Sequence, residues 1–296
     1  MSTLMALVPL AADSVPAENS KRAYRRALSA FLAWAQTEHC AFTRANVMRY
    51  RSHLGETLGP SAVNQALSAI RTLAREANEN GLLGPSAAAS IGKIPGLPRR
   101  GVRSGNWLDH KTTRELLALP DTETLKGLRD AVILGLLVGC GLRREEAAAL
   151  DVSQVQTRDG RAVIVDLVGK GGRVRTVPVP WWVHGALDSW LKVAGSNGRV
   201  LRSIDKADHI DGTSMTANAI YQIVRDYAER LGVTLAPHDL RRTFAKLARK
   251  GAAPIEQIQM ALGHASVATT ERYLGVALDL ESAACDHLGI EPEVKI

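Results

Sequence analysis

Apolar residues recur at helical spacing over most of this chain. From Ser20 onward, Tyr24, Leu28, Phe31, Leu32 and Ala35 share one face, which predicts a helix. Thr43 is placed to cap a second, carrying Val47, Tyr50 and Leu54. Pro60 opens a third, with Val63, Leu67, Ile70, Leu73 and Ala74 inward, Arg71 and Arg75 on the other side, and Asn80-Gly81 ending it. Residues 1–19 show no clear period and read as a flexible leader. Beyond Leu108 and an N-cap at Asp109, an apolar helix is expected over Arg129–Cys140 and another over Arg143–Leu150. The pattern then switches to alternation. Ala162–Val168 and Arg173–Val179 predict a β-hairpin across Gly169-Lys170-Gly171-Gly172. Helical spacing returns at about 181–194, 216–231, 238–250, 254–261 and 266–272, and again in the tail 276–296. The fold class is therefore mainly α: an N-terminal helical domain, then a mixed, mostly α domain with a small β-hairpin.

Between the two, residues 92–106 hold two Pro, four Gly and four cations, which reads as a basic linker. The expected organisation is a leader (1–19), a helical domain (20–91), the linker (92–106), a second domain (107–275) and a tail (276–296).

Charge sharpens this division. The chain carries a formal +7, and all of that excess lies in residues 1–103, with thirteen Lys and Arg against six Asp and Glu. The remainder balances at 24 of each. A basic module beside a neutral one suits a polyanion, and DNA in particular. Candidate phosphate contacts are Lys21, Arg22, Arg25, Arg26, Arg71, Arg75, Lys93, Arg99, Arg100 and Arg103. Three scattered cysteines without a CxxC argue against a zinc ribbon or a redox motif. No apolar run approaches a membrane span, and no basic n-region precedes the mildly apolar start. A cytoplasmic protein is expected.

Six residues carry the chemistry. Arg143 lies in Gly-Leu-Arg-Arg-Glu-Glu, Lys170 in Gly-Lys-Gly-Gly-Arg, and His238 and Arg241 in His-Asp-Leu-Arg-Arg. His264 lies in Leu-Gly-His-Ala-Ser and Tyr273 in Thr-Thr-Glu-Arg-Tyr-Leu. Taken singly, each is an ordinary surface or packing residue. Taken together, they suit attack by a phenol on a phosphodiester. Arginine forks neutralise the non-bridging oxygens, imidazoles and an ammonium move protons, and the phenolic oxygen forms the new bond. His238 and Arg241, one turn apart at a helix start, share a face. Arg173, Arg175 and Arg242 are further candidate phosphate contacts. No Walker A pattern, His-Glu-x-x-His or acidic cluster is present, so the reading calls for no metal and no cofactor.

This ensemble resembles the tyrosine recombinase (phage integrase) family, in its two-domain, Xer-like form. The resemblance is sharp from about residue 107 to 275 and rests on position and size before that. It implies a SAM-like helical domain that binds core DNA, followed by a catalytic domain. It implies Arg143 and Arg241 as phosphate clamps, Lys170 as general acid at the hairpin tip, His238 as acid–base residue, His264 as donor to the phosphate and Tyr273 as nucleophile. Glu146 is then a carboxylate supporting the site from behind. A departure lies at Arg144, where the family often has an apolar or small residue; the Gly141-Leu142 phase selects Arg143, with Arg144 as fallback. The partners implied are double-stranded DNA with inverted-repeat core sites, a homotetramer with a dimer on each site, and a possible partner recombinase or directionality factor. The tail is expected to dock on a neighbouring subunit or on its own domain. No arm-binding domain is expected ahead of residue 20. Two alternatives remain: relaxation of DNA in the manner of a type IB topoisomerase, and a DNA-binding accessory protein without catalysis.

Overall fold

The computed structural model describes residues 2–98, 106–169 and 172–275. The chain divides into two compact units, 1–102 and 103–296. Among the described residues no helix is long and apolar enough to cross a membrane.

The first unit is all α. Helices α3 (Glu18–Thr37), α4 (Arg44–Thr57), α5 (Pro60–Glu79) and α6 (Pro85–Gly92) enclose a core of Leu28, Phe31, Val47, Leu67, Ile70 and Ile91. The start of α4 is fixed by Thr43, whose hydroxyl accepts from the Asn46 N–H at 3.4 Å. Pro60 and Pro85 each sit in a first helical turn, where a missing N–H costs nothing.

The segment expected as a loose leader is instead two short helices, α1 (Ser2–Ala6) and α2 (Val8–Asp13). Leu4, Leu7, Val8 and Ala11 join the core. The proline that obscured the period, Pro9, stands in the first turn of α2, where it is tolerated.

The expected linker is also corrected at its start. Asn64 holds Leu97 from both sides, accepting from its N–H at 2.7 Å and donating to its carbonyl at 2.9 Å. Arg44 donates to the Ser90 carbonyl at 2.6 Å and Arg51 to that of Pro95 at 2.9 Å, while Arg71 donates to Ile94. Ile94 itself is buried. Residues 93–97 are thus built into the first unit, and Arg71 is turned inward to hold them instead of lying on the outer face.

The second unit centres on α8 (Leu125–Val138), which is buried along its length and packs against α10 (Trp181–Ala194) and α12 (Pro237–Lys250). It begins one turn before the expected start because Thr124 caps it, its hydroxyl accepting from Gly127 N–H at 3.0 Å. The unit also holds α7 (His110–Ala118), α9 (Arg144–Ala149), α11 (Ala217–Arg230), α13 (Ile255–Leu262) and α14 (Val267–Leu274).

The expected hairpin is there as β2 (Arg161–Val168) and β3 (Val174–Pro178), paired antiparallel with Ile164 opposite Val177. A third strand, β1 (Val155–Arg158), pairs with β2 through a two-residue turn at Asp159-Gly160, both at positive φ. The sheet order is β1-β2-β3.

Candidate active site

Glu146 organises the site. Arg143 is the N-cap of α9, and its backbone N–H donates to Glu146 Oε2 at 2.8 Å. Its Nη1 donates to Oε1 at 2.6 Å. From β3, Arg175 donates to the same carboxylate twice, at 3.0 and 2.8 Å. Arg241 Nη1, from α12, lies 3.9 Å from Oε2. One buried carboxylate thus faces three guanidinium groups. Burial alone pushes its pKa up, but the bonds and charges of Arg175 and Arg143 outweigh that and hold it below the ordinary glutamate value.

Arg241 is only 1% exposed. Its Nη1 donates to the Gly141 carbonyl and its Nη2 to that of Leu262, whereas its Nε has no partner among the described residues. Burial first, then the neighbouring Arg143, lowers it to about 10, so it remains charged at neutral pH. Gly141 permits this turn: it sits at φ +62, and a Cβ there would lie 2.7 Å from the Phe244 ring.

The last carbonyls of α13 are satisfied by these arginines, Ala261 by Arg175 Nε at 2.9 Å and Leu262 by Arg241. Gly263 then ends the helix in the left-handed region, at φ +62 against the Arg175 side chain. That turn delivers His264, whose Nδ1 is 3.0 Å from Oγ1 of the buried Thr270. Ser266 caps α14, which carries Tyr273.

The Tyr273 ring is packed edge-on between two imidazoles, with centroids 5.4 Å from His238 and 5.1 Å from His264. Its hydroxyl donates to the His238 carbonyl at 3.3 Å. The Arg242 guanidinium stands 5.1 Å from the ring centre and is itself tied to Asp239 at 3.3 Å, and its Nε has no partner among the described residues. Burial raises the Tyr273 pKa, against the pull of Arg241 and Arg242, so the resting group is a phenol.

Both imidazoles are depressed. Burial, then Arg241 and Arg143, pushes His264 down from 6.5 to about 4. Burial, then Arg242 and Arg241, also lowers His238. Both are therefore neutral at pH 7. With a folded pKa below the unfolded one, the unfolded chain binds more protons in this range. The stability that His264 contributes is full above about 6.5 and is lost as pH falls toward about 4. Urea unfolding across that range should show a declining limb that is flattened in His264→Gln; superimposable limbs would remove His264 as its source.

Arg143, His238, Arg241, His264, Tyr273 and Glu146 are thus brought together, with Arg175 and Arg242 among them. Sequence profiles now bear on the same residues: that of the phage integrase family matches 106–278, and that of the phage integrase N-terminal SAM-like domain matches 9–81. The chain belongs to the phage integrase family. Among its relatives, tyrosine recombinase XerD of Pseudomonas aeruginosa is 30% identical over 268 residues, 88% of each chain. Tyrosine recombinase XerC of Myxococcus xanthus is 32% identical over 243 residues, 79% of this chain and 78% of that one. The fold matches the XerH site-specific recombinase bound to a palindromic difH substrate in a post-cleavage complex. The TM-score is 0.68 at 19% identity, over 86% of this chain and 75% of that one. It also matches a lambda integrase dimer bound to a COC' core site, with TM-score 0.68 at 15% identity over 94% and 78%.

The other candidates are Lys170, expected from the resemblance, and the cations expected from charge to meet phosphates. Lys170 lies outside the described residues, as do Arg99, Arg100, Arg103 and the tail 276–296. The stem that carries Lys170 reaches the site: a Cβ on Gly169 would lie 3.0 Å from Arg175 Nη1 and 3.4 Å from Arg143 Nη1. Arg173 and Lys93 are exposed, as are Arg26 and Arg75. Lys21 and Arg25 pair with Asp13 at 3.3 and 3.2 Å, and Arg22 donates to Asn19 at 2.6 Å.

Arg175 is not placed as a phosphate contact. Its fork is spent on Glu146 and on an α13 carbonyl, so it is a strut between β3, α9 and α13. Alternation along Val174–Pro178 carries the signal, because Arg175 shares the inward face of Val177. Thr270 has no such signal.

Proposed function

We propose that this protein is a site-specific DNA recombinase that cuts and rejoins strands through a 3′-phosphotyrosyl intermediate and a Holliday junction. The observation that carries this reading is Tyr273. Its phenol is held between His238 and His264, beside Arg241 and Arg242, whose buried Nε groups have no partner among the described residues.

In this reading Tyr273 Oη attacks the phosphorus and the bond to the 5′ oxygen breaks. The neutral His238 takes the phenolic proton. Arg143 and Arg241 neutralise the non-bridging oxygens, and His264 donates to one of them. Lys170, which lies between β2 and β3 in the sequence, gives its proton to the leaving 5′ oxygen. The phosphotyrosyl bond keeps the energy of the broken diester, so a 5′ hydroxyl from another strand reseals it without ATP. Substrate sites are inverted-repeat core sequences, each holding a dimer, and strand exchange runs in a homotetramer with two tyrosines active at a time. A partner recombinase or directionality factor is a further participant to test for. The setting is the cytoplasm, where its DNA lies.

Arg143→Ala should slow cleavage by about 10²–10³, as loss of one oxyanion donor does elsewhere. A single-turnover rate within twofold of the parent would remove Arg143 from the clamp.

The function is tested on plasmids carrying two copies of a captured target site. Recombination between the copies, absent from plasmids without them, is expected. Relaxation of any supercoiled plasmid, irrespective of sequence, would replace this reading with topoisomerase action.

A further inference from the structure

Helix α12 continues for two turns beyond Arg242, and its outer face stays basic. At 100° per residue, His238, Arg242, Lys246, Arg249 and Lys250 fall within an arc of about 120°. Leu240, Arg241, Thr243 and Ala245, which fall outside this arc, are buried. Lys246 is half-buried, and Arg249 and Lys250 are exposed.

Two features set this ridge apart from an ordinary solvated face. First, among the described residues, the α12 cations with a carboxylate in ion-pair range are Arg241 and Arg242, near the active site. Lys246, Arg249 and Lys250 have none among those residues. Like charges at i,i+4 repel, and the neighbouring Arg242 and Lys250, together with burial, which is the larger cause, lower the pKa of Lys246. Second, the two lysines are gathered on one platform: Lys246 Nζ lies 5.6 Å and Lys250 Nζ 5.4 Å from the ring centre of Trp107. An aromatic face holds cations that repel each other and limits their freedom before any ligand arrives. Trp107 is itself secured, because the N–H of the next residue, Leu108, donates to Thr243 Oγ1 on α12 at 2.9 Å.

We propose that Lys246 and Lys250, seated on Trp107, form a phosphate track that runs on from Arg242 and grips the duplex backbone beside the cleaved diester. This rests on the recombinase reading above. The rise from Arg242 to Lys250 is about 12 Å, the axial length of three to four nucleotides in one strand. Contacts of this kind carry no base information. The track therefore sets affinity and the register of the scissile phosphate, and leaves the choice of site to other residues.

The test is the salt dependence of binding to a duplex of arbitrary sequence, read by fluorescence anisotropy between 50 and 200 mM salt. Each phosphate contact contributes about −0.9 to the slope of log K against log salt. Lys246→Gln with Lys250→Gln should make the slope less negative by about 1.8, so that its affinity falls about twelvefold less than the parent's across this range. Lys246→Arg with Lys250→Arg should keep the parental slope. The Gln pair gives up the cation contacts to Trp107, the Arg pair keeps a cation there, and circular dichroism reports whether the fold is kept. A Gln pair with the parental slope would overturn the track. A parent without salt-dependent DNA binding would instead overturn the reading on which the track rests.

Discussion

Tyr273→Phe is expected to bind DNA like the parent and to form no covalent adduct at all. The substitution removes one oxygen and leaves the ring between His238 and His264, with Arg242 against it. The hydrogen bond it loses, to the His238 carbonyl at 3.3 Å, is long and partly exposed, so the fold should be little affected. The chemistry needs that oxygen: the nearby hydroxyl of Thr270 is buried and bonded to His264 Nδ1 at 3.0 Å, so it is no substitute. Loss should therefore be complete, while the dissociation constant stays within about twofold. A residual adduct on denaturing gels, mapped to any other residue, would remove Tyr273 from its role.

Glu146→Ala is the second large effect, and it falls on stability. The parent carboxylate neutralises Arg175 and Arg241, both nearly buried, and closes the cap of α9 on Arg143. Removing one partner of a buried ion pair leaves the others without compensation, at a cost of about 3–5 kcal/mol. Urea denaturation at pH 7 should show this as a lower midpoint at similar slope. The sign with pH follows from the depressed pKa of Glu146. Its contribution is full above the unfolded value of about 4.3 and is lost as pH falls through the folded value. Parent and variant should therefore converge in acid. Glu146→Gln, which keeps an acceptor for Arg143 and Arg175 but no charge, should fall between them. A Glu146→Ala midpoint equal to the parent's would mean that the arginines find compensation elsewhere.

Much of this site was legible in the sequence because its residues sit at element boundaries with local signatures. Gly141 marks the turn before Arg143, Pro237 opens the helix of His238 and Arg241, and Gly263 marks the turn into His264. What escaped was decided by partners distant in sequence. Nothing near Arg71 says that its donor goes to Ile94, 23 residues on, and nothing near Asn64 announces Leu97. Arg175 reads in the sequence as one more cation of a basic hairpin, but its fork lies on Glu146, 29 residues away. Two departures are local and carry a signal in the sequence. Leu4, Leu7, Val8 and Ala11 keep helical spacing straight through Pro9. Asp159-Gly160 is a hairpin turn, and the strand ahead of it has no apolar alternation because Gln156, Thr157 and Arg158 are polar and exposed at the sheet edge.

The most direct test of the central claim is covalent capture on genomic DNA. Purified protein is mixed with fragmented DNA and denatured, and whatever remains attached is sequenced, with Tyr273→Phe in parallel. The account predicts one or a few short, near-palindromic sites, each joined through a 3′ phosphate and all absent with the variant. Parent protein that binds DNA yet captures none, or captures fragments without any shared sequence, would contradict it.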